Sequence, residues 1–401
     1  MITDLRKRPA PGPPAPNRPL LEHPVLALGF RPFFLLAGLF GTLYVPLWLV
    51  VFHGRLVLPT QLPPSAWHAH EMLFGFASAV LAGFLLTAAR NWTGQPTPSG
   101  APLAGLVLLW LLGRVAILLL GAVPRPLAAA VDLAFLPTVA VAIGVPIVRA
   151  RNWKNLGLVA LLLVLAGANL LFHAGPPAWT SRALELAVHV VVLVVIVMGG
   201  RVIPSFTANA LRVSTTKVAL LDWSAFGVAA AAAGLDLVPG AVRIAGVASV
   251  VAGVLNGARM IGWRSLATRA EPLLWVLHVG YAWVAVGLVL SGLARFFPAW
   301  PQTAPTHALT VGAMAVLILG MMSRVSLGHT GRMLVVRKPM AVAFALLALA
   351  ALVRAVGPLV LPGSYLVELD VSGALWALAF GTFVVVYAPV LTSARVDGKP
   401  G

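Results

Sequence analysis

The 401-residue chain contains no cysteine, and only 10% of its residues are charged. The absence of cysteine excludes disulfides, zinc–thiolate clusters, thiolate-ligated haem and blue-copper sites. A bound transition metal would therefore need His, Met, carboxylate or backbone oxygen ligands. A soluble domain carries about 25% charged residues, whereas apolar runs of about 20 residues recur along this chain. The sequence therefore predicts an integral membrane protein in a lipid bilayer.

Acidic residues are also scarce, with 11 Asp and Glu against 28 Lys and Arg, which gives a net charge of +17. Such an excess can indicate nucleic-acid binding. Here the basic residues are scattered through short loops between apolar runs, so we predict no nucleic-acid partner.

The predicted fold is an all-α polytopic membrane domain, residues 29–391, with about twelve transmembrane helices. The predicted spans are 30–53, 67–89, 101–121, 126–148, 154–174, 181–200, 219–236, 241–261, 271–292, 304–322, 339–360 and 365–390. Residues 1–28 are basic and Pro-rich and are predicted to form a disordered cytoplasmic tail, not a signal peptide. Residues 392–401 form a short cytoplasmic tail.

An even number of spans places both termini on one side of the membrane. If that side is cytoplasmic, 21 of the 28 Lys and Arg residues lie there, as the positive-inside rule requires. Six of the nine histidines then fall in the outer half of the membrane: His53, His68, His70, His173, His189 and His307.

The histidine spacing indicates an internal repeat. His70, His189 and His307 follow one another at 119 and 118 residues, and His53 and His173 are 120 apart. A period of four helices makes helices 2, 6 and 10 equivalent. We therefore predict three four-helix units around a pseudo-threefold axis, by analogy with the haem-copper oxidases.

The stretch Ser65–Met72, SAWHAHEM, places two histidines and a glutamate at the start of helix 2. On a regular helix His68 and His70 point about 200° apart, so we predict that they serve different centres. They could share one metal only if the start of the helix is irregular. Glu71 would share a face with His68 and accept the second ring N–H of a ligating imidazole. The alternative is a helix end whose His and Glu side chains face water.

The clustering of outer histidines favours a metal site over that alternative. Ionisable groups inside a membrane are functional candidates, and neutral imidazoles from facing helices commonly bind haem or copper. The six outer histidines are the predicted ligands. Arg114 and Asp132 fall at similar outer depth on adjacent helices and are predicted to form a structural ion pair.

Two inner stretches could bind an anion such as a haem propionate. The segment Arg324–Arg332, RVSLGHTGR, contains two arginines, two glycines and His329; the alternative is an ordinary basic loop. Gly199–Pro204, GGRVIP, resembles a helix stop with similar chemistry at Arg201.

Five motifs occur in the order seen in one family. They are Gly29–Phe34 (GFRPFF), Trp67–Gly75 (WHAHEMLFG), Gly199–Pro204, His307–Ala313 (HALTVGA) and Arg324–Arg332. The chain resembles the NnrS family from about residue 25 to 392. That resemblance implies a bacterial inner-membrane protein that contains haem and copper and is linked to nitric oxide metabolism and tolerance. It points to His68, His70, His307, His329, Arg201 and Arg324 as site residues.

The expected function is protection against nitric oxide and nitrosative stress through outer metal centres. A ferrous haem or cuprous ion would bind nitric oxide, and an electron donor could supply a redox reaction, so enzymatic activity remains open. Two other classes are considered. One is a polytopic transporter with broken helices, and the other is a haem-binding sensor or assembly factor without turnover.

Overall fold

The computed structural model describes residues 20–361 and 363–399. Within these residues the chain is helical and contains no β-strand. Its twelve principal helices are α1 (Phe30–Phe52), α2 (Pro64–Thr93), α3 (Ala101–Leu118), α4 (Arg125–Arg149), α5 (Leu156–Ala174), α6 (Thr180–Leu211), α7 (Ala219–Leu235), α8 (Val242–Ile261), α9 (Pro272–Ala294), α10 (Thr303–Gly328), α11 (Lys338–Val360) and α12 (Tyr365–Thr392).

Eleven of these helices are long and apolar enough to cross a membrane. The exception is α7, which has 17 residues and spans only about 25 Å at 1.5 Å per residue. The prediction of an all-α polytopic membrane protein is confirmed.

Burial differs strongly between the helices of the bundle. Consecutive helices pack together, and α1 packs against α12 to close the arrangement. The most apolar windows of α2, α6 and α10 are 89%, 72% and 72% buried, whereas those of α1 and α12 are 39% and 33% buried. Helices α2, α6 and α10 therefore have the most buried apolar windows among the described spans.

Two central helices widen into π-helical segments. The segment Glu71–Ala77 follows His70 in α2, and Ala308–Ala315 follows His307 in α10. A π segment replaces i→i+4 hydrogen bonds by i→i+5 bonds and is frequently found at functional sites. The indole of Trp110 in α3 donates a 3.0 Å hydrogen bond to the carbonyl oxygen of Gly75 in the π segment of α2.

The predicted end of helix 6 at residue 200 is wrong, because α6 continues to Leu211. The glycines of the GGRVIP stretch serve close packing: a Cβ atom at Gly199 would lie 2.7 Å from the Tyr281 ring, and one at Gly200 would overlap the Arg259 guanidinium. Similarly, α10 extends to Gly328, so the first half of the predicted inner loop is helical.

The N-terminal boundary also differs from the expectation. Residues 1–19 of the predicted tail lie outside the described residues, but Leu20–Glu22 and Pro24–Leu26 form 3-10 turns. Leu26 and Leu28 are buried, and the Gly100 amide donates a 2.9 Å hydrogen bond to the Leu26 carbonyl. The last residues assigned to the tail are therefore folded against the bundle, because their leucines pack there.

Candidate metal centre

His70 lies completely buried at the start of α2 with hydrogen-bond acceptors beside both ring nitrogens. Its Nδ1 is 3.1 Å from Glu71 Oε1. Its Nε2 is 3.2 Å from Asn169 Oδ1 and 3.3 Å from Asp132 Oδ2. Since a neutral imidazole has only one N–H, acceptors beside both ring nitrogens favour either a second proton or a metal ion on His70.

A second imidazole faces the same carboxylate. His173, near the end of α5, places its Nε2 3.0 Å from Asp132 Oδ2, which also accepts a 2.7 Å hydrogen bond from Asn169 Nδ2. One ligand atom each from His70, Asp132 and His173 lies within 4.8 Å of the others. Three helices thus bring two nitrogens and one oxygen to a common point.

Arg114 of α3 joins the two carboxylates of this group. Its Nη1 lies 2.5 Å from Glu71 Oε1, and its Nη2 donates to Asp132 Oδ1. The predicted Arg114–Asp132 contact is therefore present, but within a larger network. With neutral imidazoles the group carries two negative charges and one positive charge. An unbalanced buried charge is costly, so the network favours an additional cation.

The donor set fits copper. Imidazole and carboxylate ligands suit copper, zinc, iron and nickel, and no thiolate is required. Glu71 accepts the Nδ1–H of His70 and so directs the Nε2 lone pair toward Asp132 and His173. Such carboxylate–histidine–metal arrangements are the common way of fixing a ligand tautomer.

His68 faces away from this group, as the helical geometry predicts. Its ring stacks on Trp48 of α1, with centroids 4.0 Å apart, and faces Tyr44 at 6.2 Å. The expected pairing of Glu71 with the His68 side is wrong, because Glu71 contacts His70 and Arg114 instead. The π-helical turn beginning at Glu71 changes the angular spacing, and the Arg114 charge attracts the carboxylate.

His189 and His53 belong to other contacts. His189 Nε2 lies 3.1 Å from Asp236 Oδ2. Burial opposes ionisation of Asp236, but hydrogen bonds from His189 and Arg295 hold the pKa of its carboxyl below the usual value. His53 Nε2 lies 2.8 Å from Asp370 Oδ1 in a surface pair. Neither imidazole contacts the His70 group, which consists of His70, Glu71, Arg114, Asp132 and His173.

The inner arginines are distributed over separate contacts. Arg201 Nη1 donates a 2.7 Å hydrogen bond to Asn155 Oδ1, and the Arg324 guanidinium lies 4.0 Å from the Phe206 ring centroid. The structure therefore shows these two arginines in different surroundings.

His329 and Arg332 lie where the chain returns after α10. The centroids of the His329 and Phe30 rings are 5.8 Å apart. Burial lowers the pKa of the His329 imidazole, and the Arg395 charge lowers it further. Arg332 Nη2 donates a 3.0 Å hydrogen bond to Ser393 Oγ. These residues connect the GFRPFF and RVSLGHTGR motifs to the end of α12.

Asn169 was missed by the sequence reasoning, and Asp132 was assigned only to an ion pair. Asn169 precedes His173 by four residues, a spacing that puts both on one face of a helix. This spacing was a usable signal. The meeting of α2, α4 and α5 around Asp132 had no local sequence signal.

An apolar cavity of about 90 Å³ lies among the central helices α2, α6 and α10. Its wall includes Val80, Val194, Met198, Met314 and Met321. Its lining suits a small uncharged molecule.

These features define a polytopic helical membrane protein with a buried histidine–carboxylate group able to hold a metal ion. The family model described as NnrS protein matches residues 24–395, nearly the whole chain. The chain belongs to the NnrS family, and this membership supports a role in the response to nitric oxide. No curated protein matches it.

Proposed function

We propose that this protein binds haem and copper in the bacterial inner membrane and acts in nitric oxide metabolism and protection against nitrosative stress. The family match over residues 24–395 supports the nitric oxide context. The observation that carries the metal assignment is the convergence of His70, Asp132 and His173 on one point.

The copper would be held by Nε2 of His70, Nε2 of His173 and a carboxylate oxygen of Asp132. A copper ion there would supply a redox-active centre able to bind nitric oxide. Glu71 keeps the proton on Nδ1 of His70, and Arg114 holds both carboxylates in position. Because all five side chains are at most 9% exposed, bulk water is excluded from the donor atoms.

The distribution of basic residues supports an orientation with both termini in the cytoplasm. The His70 group would then lie near the outer face, where a periplasmic or membrane-embedded electron donor could approach. The apolar cavity between α2, α6 and α10 would accept nitric oxide without the cost of desolvating an ion.

The other two classes predict different behaviour. Alternating-access transporters commonly use helices that are interrupted at mid-depth, whereas α2 and α10 widen but continue over their described lengths. A haem-binding sensor or assembly factor would bind the same cofactor without consuming nitric oxide.

The test uses the full-length protein purified in detergent, with elemental analysis and a reduced-minus-oxidised absorption spectrum. The wild type should contain copper and haem, and His70→Ala and His173→Ala should each lose most of the copper. His278→Gln is the matched buried-histidine control, since His278 contacts only Thr207 and Ser265 among polar side chains of the described chain.

A wild-type protein without metal would refute the proposal, and unchanged copper in both alanine variants would refute the site. Consumption of nitric oxide in the presence of a reductant would identify an enzyme. Binding without consumption would identify a sensor or assembly factor.

A further inference from the structure

A second group of polar side chains lies at the same end of the bundle, between α2, α10, α11 and α12. His68 and His307 are close enough for charge on one imidazole to act on the other, and the Arg354 charge acts on both. Arg354 is only 4% exposed. This group contains none of the residues around Asp132.

Several buried polar atoms of this group have no hydrogen-bond partner among the described residues. They are His68 Nδ1, Thr303 Oγ1, Arg354 Nη1 and Glu368 Oε2. Buried polar atoms in folded proteins are nearly always hydrogen-bonded, so a local concentration of unpaired ones requires an explanation such as a bound group. These atoms are an imidazole nitrogen, a hydroxyl oxygen, a guanidinium nitrogen and a carboxylate oxygen.

Each of the two imidazoles has a ring nitrogen available to a metal. His307 Nδ1 donates a 2.7 Å hydrogen bond to the Thr303 carbonyl oxygen, which leaves the lone pair on Nε2. His68 is held by stacking on Trp48 rather than by hydrogen bonds. Each imidazole therefore has a nitrogen lone pair without a proton donor in the described part of the chain, and a Lewis-acidic metal is the partner such nitrogens favour.

Arg354 indicates the charge of what accompanies the metal. Its Nη2 donates a 3.1 Å hydrogen bond to the Tyr365 hydroxyl, and its guanidinium lies 5.0 Å from the same ring. Glu368 is hydrogen-bonded to Ser364 and forms no ion pair with Arg354 within 4.0 Å. A buried guanidinium with a free N–H and no paired carboxylate favours an anionic ligand.

We propose that His68 and His307 form a second metal-binding site, separate from the His70 group, in which Arg354 pairs with an anionic group carried with the metal. This inference rests on the proposed function, since it assigns one of its two metal centres. The shared chemistry is an imidazole-ligated metal with an anion. Two sources could supply this metal and anion. One is haem with its carboxylates, and the other is a free copper ion with a small anion.

The experiment uses full-length His68→Gly, His307→Gly and Arg354→Met variants, with His70→Ala and His278→Gln for comparison. Each protein is purified, and its absorption spectrum, iron and copper contents are measured. In His68→Gly and in His307→Gly the same absorption signal should fall at least tenfold. Free imidazole should restore that signal in both variants. His70→Ala should lose a different signal. Arg354→Met should weaken binding while leaving the protein folded.

Two additions identify the source of the metal. If hemin restores the lost signal to imidazole-treated glycine variants, the site holds haem; if Cu(II) chloride restores it, the site holds a free ion. Glutamine variants replace the glycine variants where the latter do not fold.

The proposal is overturned if the wild type contains metal and both His68 and His307 variants retain every signal. It is also overturned if His68→Gly and His70→Ala lose one and the same signal. A wild type with neither haem nor copper would instead refute the broader proposed function.

Discussion

Two arginines at the histidine-rich end of the bundle would occupy corresponding places in the first and third units of the predicted four-helix repeat. Arg114 and Arg354 are 240 residues apart, which is twice the repeat spacing of the histidines. Arg114 joins two carboxylates from different helices. Arg354 contacts a phenol and has no carboxylate within 4.0 Å in the described residues.

The difference shows how two buried arginines can serve two purposes. Around Arg114 the protein itself supplies the anions, so the guanidinium fixes the carboxylates beside His70. Around Arg354 the nearby Glu368 carboxylate forms no direct ion pair within 4.0 Å. The first arginine therefore organises ligands, whereas the second is available to an external anion.

Replacing Arg114 by Met should have the largest effect on stability. It leaves Glu71 and Asp132 buried without their cation, which costs about 3–5 kcal/mol in a fully buried site. We expect low expression and a strongly reduced melting temperature in detergent.

Because Arg114 contacts two carboxylates, a second replacement at Asp132 alone should not restore folding. Recovery should require Arg114→Met, Asp132→Leu and Glu71→Gln together, and the triple variant should bind no copper. Full recovery in the double variant would show that Arg114 and Asp132 act as a simple pair.

Replacing Glu71 by Gln should mainly weaken metal binding. The amide oxygen still accepts the Nδ1–H of His70, but the lost charge lowers the basicity of the imidazole. Changes to such partners typically reduce metal affinity about 10–100-fold. Titration with Cu(II) would measure the change, and Glu185→Gln, an acidic residue near Asp236, provides the control. Equal affinities in the two variants would contradict the assigned role.

Replacing Arg354 by Met should destabilise the protein less than replacing Arg114. The lost interaction is one hydrogen bond to Tyr365, worth about 0.5–3 kcal/mol when a charged group is involved. Thermal unfolding of the two variants side by side would measure the difference. An equal or larger loss for Arg354→Met would mean that this arginine is also a structural cation.

Replacing His53 by Ala should have the smallest effect. His53 pairs with Asp370, whose side chain is 52% exposed, and exposed pairs contribute about 0–1 kcal/mol. Its melting temperature and copper content should match the wild type. A loss of copper would extend the metal centre to the end of α1.

The sequence was sufficient for the helices because each is marked by a long apolar run bounded by Gly, Pro or basic residues. Helical periodicity predicts that His68 and His70 face different neighbours, and the structure shows this. The partners of Glu71 were not predictable in this way, since a π segment changes the angular spacing of side chains without a recognisable residue pattern.

The assembly of the His70 group also lay beyond sequence reasoning. Asp132 and His173 belong to neighbouring helices, but only their packing shows that both reach His70. The glycines at 199 and 200 were interpreted as a helix end, whereas their small size admits Tyr281 and Arg259. From sequence alone, a glycine near a proline can mark either a helix end or a close contact between helices.

The π segment after His70 has a consequence for how this helix tolerates insertions and deletions. A π turn contains one residue more than the α turn it replaces, so it behaves as a built-in insertion between the histidines and the rest of α2. A regular α-helix over the same number of residues would rotate the preceding turn by about 100°, and both His68 and His70 would leave their present partners. The π segment therefore absorbs one residue while the two ends of α2 keep nearly the orientation of a shorter α-helix. Deleting one residue other than Glu71 within Glu71–Ala77 should leave both sites in place, whereas a deletion between this segment and the end of the helix should displace the histidines relative to the rest of α2.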